Sequence, residues 1–491
     1  MRNQVQLIAY ADRLGGSIAG LRQVLDGDLA GAFGGVHLLP FFTPFDGADA
    51  GFDPDDHTQV DPRLGTWADV AALAADRDTT VDVIVNHVSA RSPQFRDWLA
   101  HGDGSPHAGM FLTLGAVFPD GATEEDLARI YRPRPGLPFT PVTVAGRRRF
   151  VWTTFTSEQV DIDVESEPGR AYLASVLDAL AAAGVHMVRL DAVGYAIKTP
   201  GTTCFMTPAT LAFIDDLTAQ ARARGMAVLV EVHSHHERQV EIARRVDRVY
   251  DFALPPLVLH ALATGDCVPL GRWLAMRPAN AVTVLDTHDG IGVVDVARDG
   301  DRPGLLDDAQ VDALVEGIHE RTGGDSRLAT GAAASNLDLY QVNATYYAAL
   351  GRDDAAYLVA RAIQLFTPGI PQVYYVGALA GDDDMALLAE TGVGRDINRH
   401  RYSREEVRAA VRRPVVRALL DLARFRNAHP AFDGECTVDA GPDAVALRWR
   451  RGDDRAELAV DARSRTAVLR WSDAARERVS VDLLADPPRL G

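Results

Sequence analysis

Eight short apolar, β-prone runs recur along the chain, and helical patterns separate most of them. This alternation constrains the fold more than any other feature. The runs are VQLIAY from Val5, GVHLLPF from Gly35, TVDVIVNH from Thr80, VHMVRLD from Val185, AVLVEVH from Ala227, DRVYDFAL from Asp247, AVTVLDTHD from Ala281 and IPQVYYVG from Ile370. Their apolar character is nearly continuous, as in strands buried on both faces of a parallel sheet. Between them, TPATLAFIDDLTAQARARG carries helix punctuation: Thr207 as N-cap, Pro208 at the first helical position, apolar Leu211, Ile214 and Leu217, and a stop at Gly225. Eight strands alternating with helices predict an α/β fold, the (β/α)8 or TIM barrel. A doubly wound open sheet is the alternative.

Two connections are too long for simple loops. Roughly 100 residues separate the third run from the fourth, and roughly 80 the seventh from the eighth; such lengths mark functional segments or subdomains. The expected organisation is a catalytic barrel over 1–84, 166–290 and 352–431, an inserted domain B over 85–165, and a second insertion, B′, over 291–351. A small antiparallel β domain follows over 432–491, where AVALRWRRGDDRAELAV reads as a hairpin turning near Gly452. The first insertion contains YRPRPGLPFT, a Pro-stiffened stretch with Arg132 and Arg134. The second contains TGAAASNLDLYQVN, whose small residues suit a moving segment.

Composition removes several function classes. The formal net charge of −18 argues against a general nucleic-acid binder, which needs a basic face, and requires any anionic substrate to be met by a local basic cluster. Cys204, Cys267 and Cys436 are odd in number and far apart, so no disulfide framework or CxxC metal site follows and a reducing compartment is expected. The opening MRNQVQLIAYADRLGG has too short an apolar run for a signal peptide, and no run of about 20 apolar residues is present to span a membrane. The expected setting is the cytoplasm.

In a parallel barrel, catalytic groups stand at the C-terminal ends of strands. Here those ends carry Asn86-His87 on the third strand, Arg189 and Asp191 on the fourth, Glu231 and His233 on the fifth, and His288 and Asp289 on the seventh. Arg189 and Asp191 are two apart, hence on one strand face. Several carboxylates in one concave site suit glycosidic chemistry: one protonates the leaving oxygen, another stays ionised to attack or to stabilise an oxocarbenium-like centre. Arg189 beside Asp191 favours the ionised carboxylate of a nucleophile. The apolar run VLVEVH around Glu231 favours a raised carboxyl and a general acid. Asp289 becomes the third, charge-stabilising carboxylate. The residues alone leave these three roles interchangeable.

DVIVNH, VRLDAVGY, EVH and DTHDG resemble the four ordered motif regions of the α-amylase superfamily of retaining glycoside enzymes. Longer stretches narrow the resemblance. QLIAYADRLGG, LPFFTPFDGADAGFDPDDHTQVD, YRPRPGLPF, RVYDFALPPL, NAVTVLDTHDGIGV, ASNLDLYQVN, PQVYYVGALAG and GRDINRHRY are similar to the sucrose phosphorylase family of bifidobacterial type, from about residue 4 to the C-terminal domain. The resemblance implies a double displacement on sucrose and inorganic phosphate, with fructose and α-D-glucose 1-phosphate as products and no cofactor. It implies Asp191 as nucleophile, Glu231 as acid/base and Asp289 as transition-state stabiliser. It also implies that His87, Arg189 and His288 hold the glucosyl ring, with Tyr195 and His233 in the same substrate-binding set. Asp49 and Arg395 would close the pocket behind the sugar, between the aromatic walls Phe52 and Phe155. Arg134, Leu337, Asp338, Tyr340 and Gln341 would form the phosphate and acceptor side, and a homodimer is implied.

Two stretches depart from that pattern. HSHHERQ follows Val232, where aromatic residues usually follow HS, and VSARS follows His87, where a tryptophan is expected. The trio His233, His235 and His236 raises a zinc alternative, because H-x-H binds zinc in some barrels. The expectation is a metal-free site with the two outer histidines at the surface or on the acceptor loop.

Overall fold

The computed structural model describes residues 1–489 apart from 48, 133, 333–340 and 474–475. The eight apolar runs form eight strands: β1 (Gln6–Ala9), β2 (Gly35–Leu38), β3 (Asp78–Ile84), β4 (Met187–Asp191), β5 (Ala227–Val230), β6 (Arg248–Asp251), β7 (Ala281–Thr283) and β8 (Ile370–Tyr374). Every neighbouring pair is parallel, and β8 pairs with β1, which closes the barrel and excludes the open sheet. Helices such as Pro208–Ala223 form the outer ring; there the Thr207 hydroxyl accepts from the Thr210 N–H, as its sequence predicts.

The barrel interior holds a polar layer among its apolar ones. Gln372 donates to Gln6 Oε1 (2.8 Å), Tyr250 OH donates to Gln372 Oε1 (3.2 Å) and bonds His37 Nδ1 (3.2 Å), and His37 Nε2 meets Asp82 Oδ2 (3.0 Å). All five residues are buried. Linked from end to end, this chain fixes side-chain directions that an apolar core leaves softer. Asp82 is its upper end, in register with Arg189 of β4.

Both insertions leave from strand ends and return across the mouth. After β3, His87–Ser89 pairs antiparallel with Gln159–Asp161, and the hairpin Phe139–Val144/Arg147–Trp152 lies between. After β7, Ile291–Gly292 pairs antiparallel with Gln341–Val342. The C-terminal domain is a five-stranded antiparallel sheet, with Gly452 at φ +59° turning the anticipated hairpin. Trp449 Nε1 donates to Phe366 O at 2.7 Å and ties that sheet to a barrel helix. Among the described residues no helix is long and apolar enough to cross a membrane.

Candidate active site

One recess opens at the C-terminal ends of the barrel strands, about 850 Å³ measured out to its mouth. Its centre is Arg189, fully buried at the end of β4. Nη1 bonds Asp82 below and Asp191 Oδ1 at 2.9 Å; Nη2 lies 3.4 Å from Glu231 Oε1. The guanidinium therefore joins the polar layer of the barrel to two carboxylates of the mouth, its planar fork presenting a separate nitrogen to Asp191 and to Glu231. Directly after Asp191, Ala192 adopts φ +53°, a left-handed conformation that costs a non-glycine residue about 1–2 kcal/mol. That turn points its N–H at Glu231 Oε2, 3.5 Å away.

The charge state of Asp191 corrects one expectation. A single adjacent guanidinium predicts a depressed carboxyl, but burial, together with Glu231, Asp82 and Asp289, pushes Asp191 well above the usual carboxylate range. Arg189 opposes this and is outweighed, because it is shared among three carboxylates. Asp289 behaves in the opposite way. Burial would raise it, but Arg395, His288, His233 and Arg399 hold it far below the ordinary value. Arg395 Nη1 is 2.8 Å from Asp289 Oδ1, and its charge, against burial, also lowers Asp49.

Aromatic and imidazole rings wall the inner recess. His288 stacks on Phe52 (centroids 4.7 Å, 10° between planes), and burial drops His288 to about 3, so the ring is neutral. His87 donates to or accepts from its neighbours at 3.0–3.1 Å (Phe52 O, Gln159 Nε2), and Phe155 packs on it edge-on. Tyr195 meets Phe155 at 5.2 Å. Lys198, the only lysine in the chain, is buried behind this wall. Its Nζ contacts Asp161 Oδ2 (2.7 Å), Asn86 Oδ1 (3.0 Å) and Thr154 Oγ1 (3.2 Å), and it also donates to Tyr195 O. It ties the first insertion to the loop after β4.

The rim carries the remaining cations. Arg132 and Arg134, equivalent in sequence, separate in space. Arg132 donates to the carbonyls of Thr154 (2.8 Å), Pro135 (2.9 Å) and Leu137 (2.8 Å) and braces its own loop. Arg134 lines the recess near Asp49, Asp289 and Arg395. His233 and Gln341 line it as well, with Nε2 atoms 3.3 Å apart. Leu337, Asp338 and Tyr340 lie outside the described residues.

The histidine trio does not converge. His235 and His236 are buried rather than at the surface. His235 Nε2 sits 3.1 Å from Pro303 O, and His236 packs edge-on against Trp273 at 6.0 Å, its ring kept neutral by a burial that lowers it to about 4. The HSHH departure therefore still supplies aromatic packing. In the VSARS departure, Ser92 caps the helix Pro93–His101 through the Phe95 N–H. Glu231, His233 and Asp289 do bring ligand atoms within 4.8 Å of one another. His233, however, commits Nδ1 to Asp295 at 3.1 Å, and the surrounding carboxylates raise it against burial, which favours a proton over a metal on its other nitrogen.

Residues 431–488 match the profile of the sucrose phosphorylase C-terminal domain. The sucrose phosphorylase of Bifidobacterium adolescentis is 56% identical over 99% of both chains. That of Agrobacterium vitis is 60% identical over 94% of this chain and 95% of its own. The crystal structure of sucrose 6F-phosphate phosphorylase from Thermoanaerobacter thermosaccharolyticum superposes with a TM-score of 0.90 at 39% identity, covering 98% of each chain. The chain belongs to the sucrose phosphorylase family. Its members named here are phosphorylases, so the recess is that of a glucosyl-transferring enzyme.

Within this family frame, several recess residues escaped the sequence reading. Asp82 had a signal, an acid inside the buried run TVDVI. Gln159, from the strand Gln159–Asp161, and Phe205 and Val232, from loops, line the recess and carried none. Asp295 and Lys198 act from behind its wall, where only a three-dimensional neighbour identifies them.

Proposed function

We propose that this chain catalyses the reversible phosphorolysis of sucrose to α-D-glucose 1-phosphate and fructose, with retention at the anomeric carbon. The observation that supports it most is the junction of Asp191, Glu231 and Asp289 around shared cations, with Arg134 and His233 on the rim of the same recess. Two carboxyls that share one guanidinium stand close, which suits the retaining spacing of about 5 Å rather than the wider one that admits a water.

Asp191 attacks the anomeric carbon of the glucosyl unit. The bond to the fructosyl oxygen breaks, and Glu231 transfers its proton to that oxygen. In the second half, Glu231 takes a proton from phosphate, a phosphate oxygen attacks the same carbon, and Asp191 leaves. The double displacement needs Asp191 ionised when it attacks and the proton of the acid on Glu231. Asp289, held ionised, faces the positive charge that develops on the sugar. Neutral His87 and His288 offer hydrogen bonds to hydroxyls, and Asp49 with Arg395 closes the distal end. Arg134 supplies the local cation that phosphate requires in a chain of net charge −18. Other hydroxylic acceptors in place of phosphate give transglucosylation.

The solved relative is named for a phosphorylated sucrose, which keeps a related glucoside donor as the second reading. Incubation with sucrose, with and without phosphate, decides between them. Fructose and glucose 1-phosphate rising together only with phosphate is the expected result. Fructose with free glucose, indifferent to phosphate, would make the chain a hydrolase, and no fructose would move the search to another donor. The same reading includes a homodimer in a reducing compartment. Three unpaired cysteines support the compartment, and light scattering at assay concentration tests the assembly.

A further inference from the structure

Asp295 does not line the recess, yet one oxygen of its fully buried carboxylate meets His233, which does. Three donors converge on it: His233 Nδ1 at 3.1 Å, the Ser234 N–H at 3.2 Å and Gln239 Nε2 at 3.0 Å. Gly292 leaves the space for this pairing, since a Cβ there would stand 2.4 Å from Asp295 Oδ2. Phe252 stacks on the imidazole at 3.8 Å and fixes its plane. With Nδ1 committed, Nε2 faces the recess, 3.7 Å from Glu231 Oε1.

Gln341 currently meets that nitrogen. The Gly290 N–H donates to Gln341 Oε1 at 3.3 Å, so Gln341 turns its amide nitrogen toward His233 Nε2. That contact suits a neutral ring. An anionic acceptor needs the opposite, an N–H on Nε2 and a charge to go with it. Among the described residues, the carboxylates facing His233 are Asp295, Glu231 and Asp289, while its Phe252 and Gln341 neighbours are neutral. Of the three carboxylates, Asp295 alone lies behind the ring, where it compensates an imidazolium without occupying the acceptor's space.

We propose that Asp295 is a positioning residue for acceptor choice: it fixes the tautomer of His233 and lets that ring take a proton from solvent and exchange Gln341 for the oxygen of an anionic acceptor. The proposal rests on the phosphorolysis reading above and deepens it. It makes the ability to prefer phosphate over water depend on a residue that touches neither.

Asp295→Asn tests it, because an amide cannot accept from His233, Ser234 and Gln239 together. The phosphate KM should rise on the order of tenfold or more. Hydrolysis of sucrose without phosphate should fall clearly less than phosphorolysis, because the substitution replaces no residue that lines the donor side. In ¹⁵N-histidine spectra, His233 should titrate above the usual histidine range in the wild-type protein and at lower pH in the variant. Gly292→Ala, which displaces the carboxylate without changing any charge, should act in the same direction. An unchanged phosphate KM in folded D295N, equal losses in both reactions, or a wild-type His233 titrating at or below the ordinary value would overturn the proposal. If the wild-type protein makes no glucose 1-phosphate from sucrose, the phosphorolysis reading fails instead, and the histidine titration still decides whether Asp295 controls His233.

Discussion

The two sides of the recess are built on different principles. The donor side stands on the ends of β3, β4, β5 and β7, and its charges are cross-linked: Asp82, Asp191 and Glu231 around Arg189, and Asp289 against Arg395. The side proposed for the acceptor is assembled from insertions, with Arg134 from the Pro-rich loop and Gln341 from the strand that returns before β8. Strand ends hold a geometry through ladder hydrogen bonds and a packed core. Loops hold one only through individual contacts, and so allow acceptor preference to vary while glucosyl chemistry stays the same.

The sharpest break of this comparison is Asp191→Asn on the donor side. Turnover with sucrose should fall by at least about 10⁴-fold with phosphate or water alike, since both acceptors need the same first step. The same variant should be more stable. The folded carboxyl is raised above its unfolded value of 3.8, so its favourable contribution is complete below that value and is lost as pH rises toward the folded one. At neutral pH the amide avoids that loss, and melting should rise by about 2 °C, with no gain below pH 4. Equal melting of both proteins at pH 7 would mean that Arg189 compensates Asp191 fully.

Arg134→Ala cuts only one side. Phosphorolysis should weaken by roughly 10- to 100-fold while slow hydrolysis changes little. Equal losses in the two reactions would remove Arg134 from the acceptor role and make it, like Arg132, a brace.

A smaller effect concerns the support beneath the acceptor side. Asp383 accepts from the Thr345 N–H at 2.6 Å, two residues beyond Asn343, and burial raises it to about 7. Its folded value again lies above the unfolded one, so stability is lost as pH climbs from about 4 through about 7. Asp383→Asn should melt like the wild type below about pH 4 and about 1–2 °C higher at pH 8. The smallest expected effect is none: EDTA should leave both reactions unchanged, and loss of activity restored by zinc would reassign Glu231, His233 and Asp289.

The donor side was largely legible from sequence, and the acceptor side only in part, for a physical reason. Strands buried on both faces write themselves as unbroken apolar runs, and their ends are where the next polar residues begin. The position of Asp191, Glu231 and Asp289 at the barrel mouth follows from this, and their roles remain those proposed above. The charge of Asp191 does not follow, because Arg189 is divided among partners up to 107 residues away, and spacing reports only the nearest one. The family resemblance singled out Arg134, whereas the residues alone do not separate it from Arg132, since two residues in an irregular loop have no fixed facing. His235 and His236 were misplaced at the surface because polarity hid their packing on the Pro303 carbonyl and Trp273.

Lys198 has a practical side. The chain presents all its other basic side chains as guanidinium or imidazole, and its one primary-amine side chain is sealed behind the pocket wall. Reagents that acylate or alkylate amines therefore meet a folded surface without lysine, and the α-amino terminus becomes their natural target. Coupling to a support or a dye through that chemistry should attach every molecule at one point and in one orientation, leaving the mouth of the barrel clear.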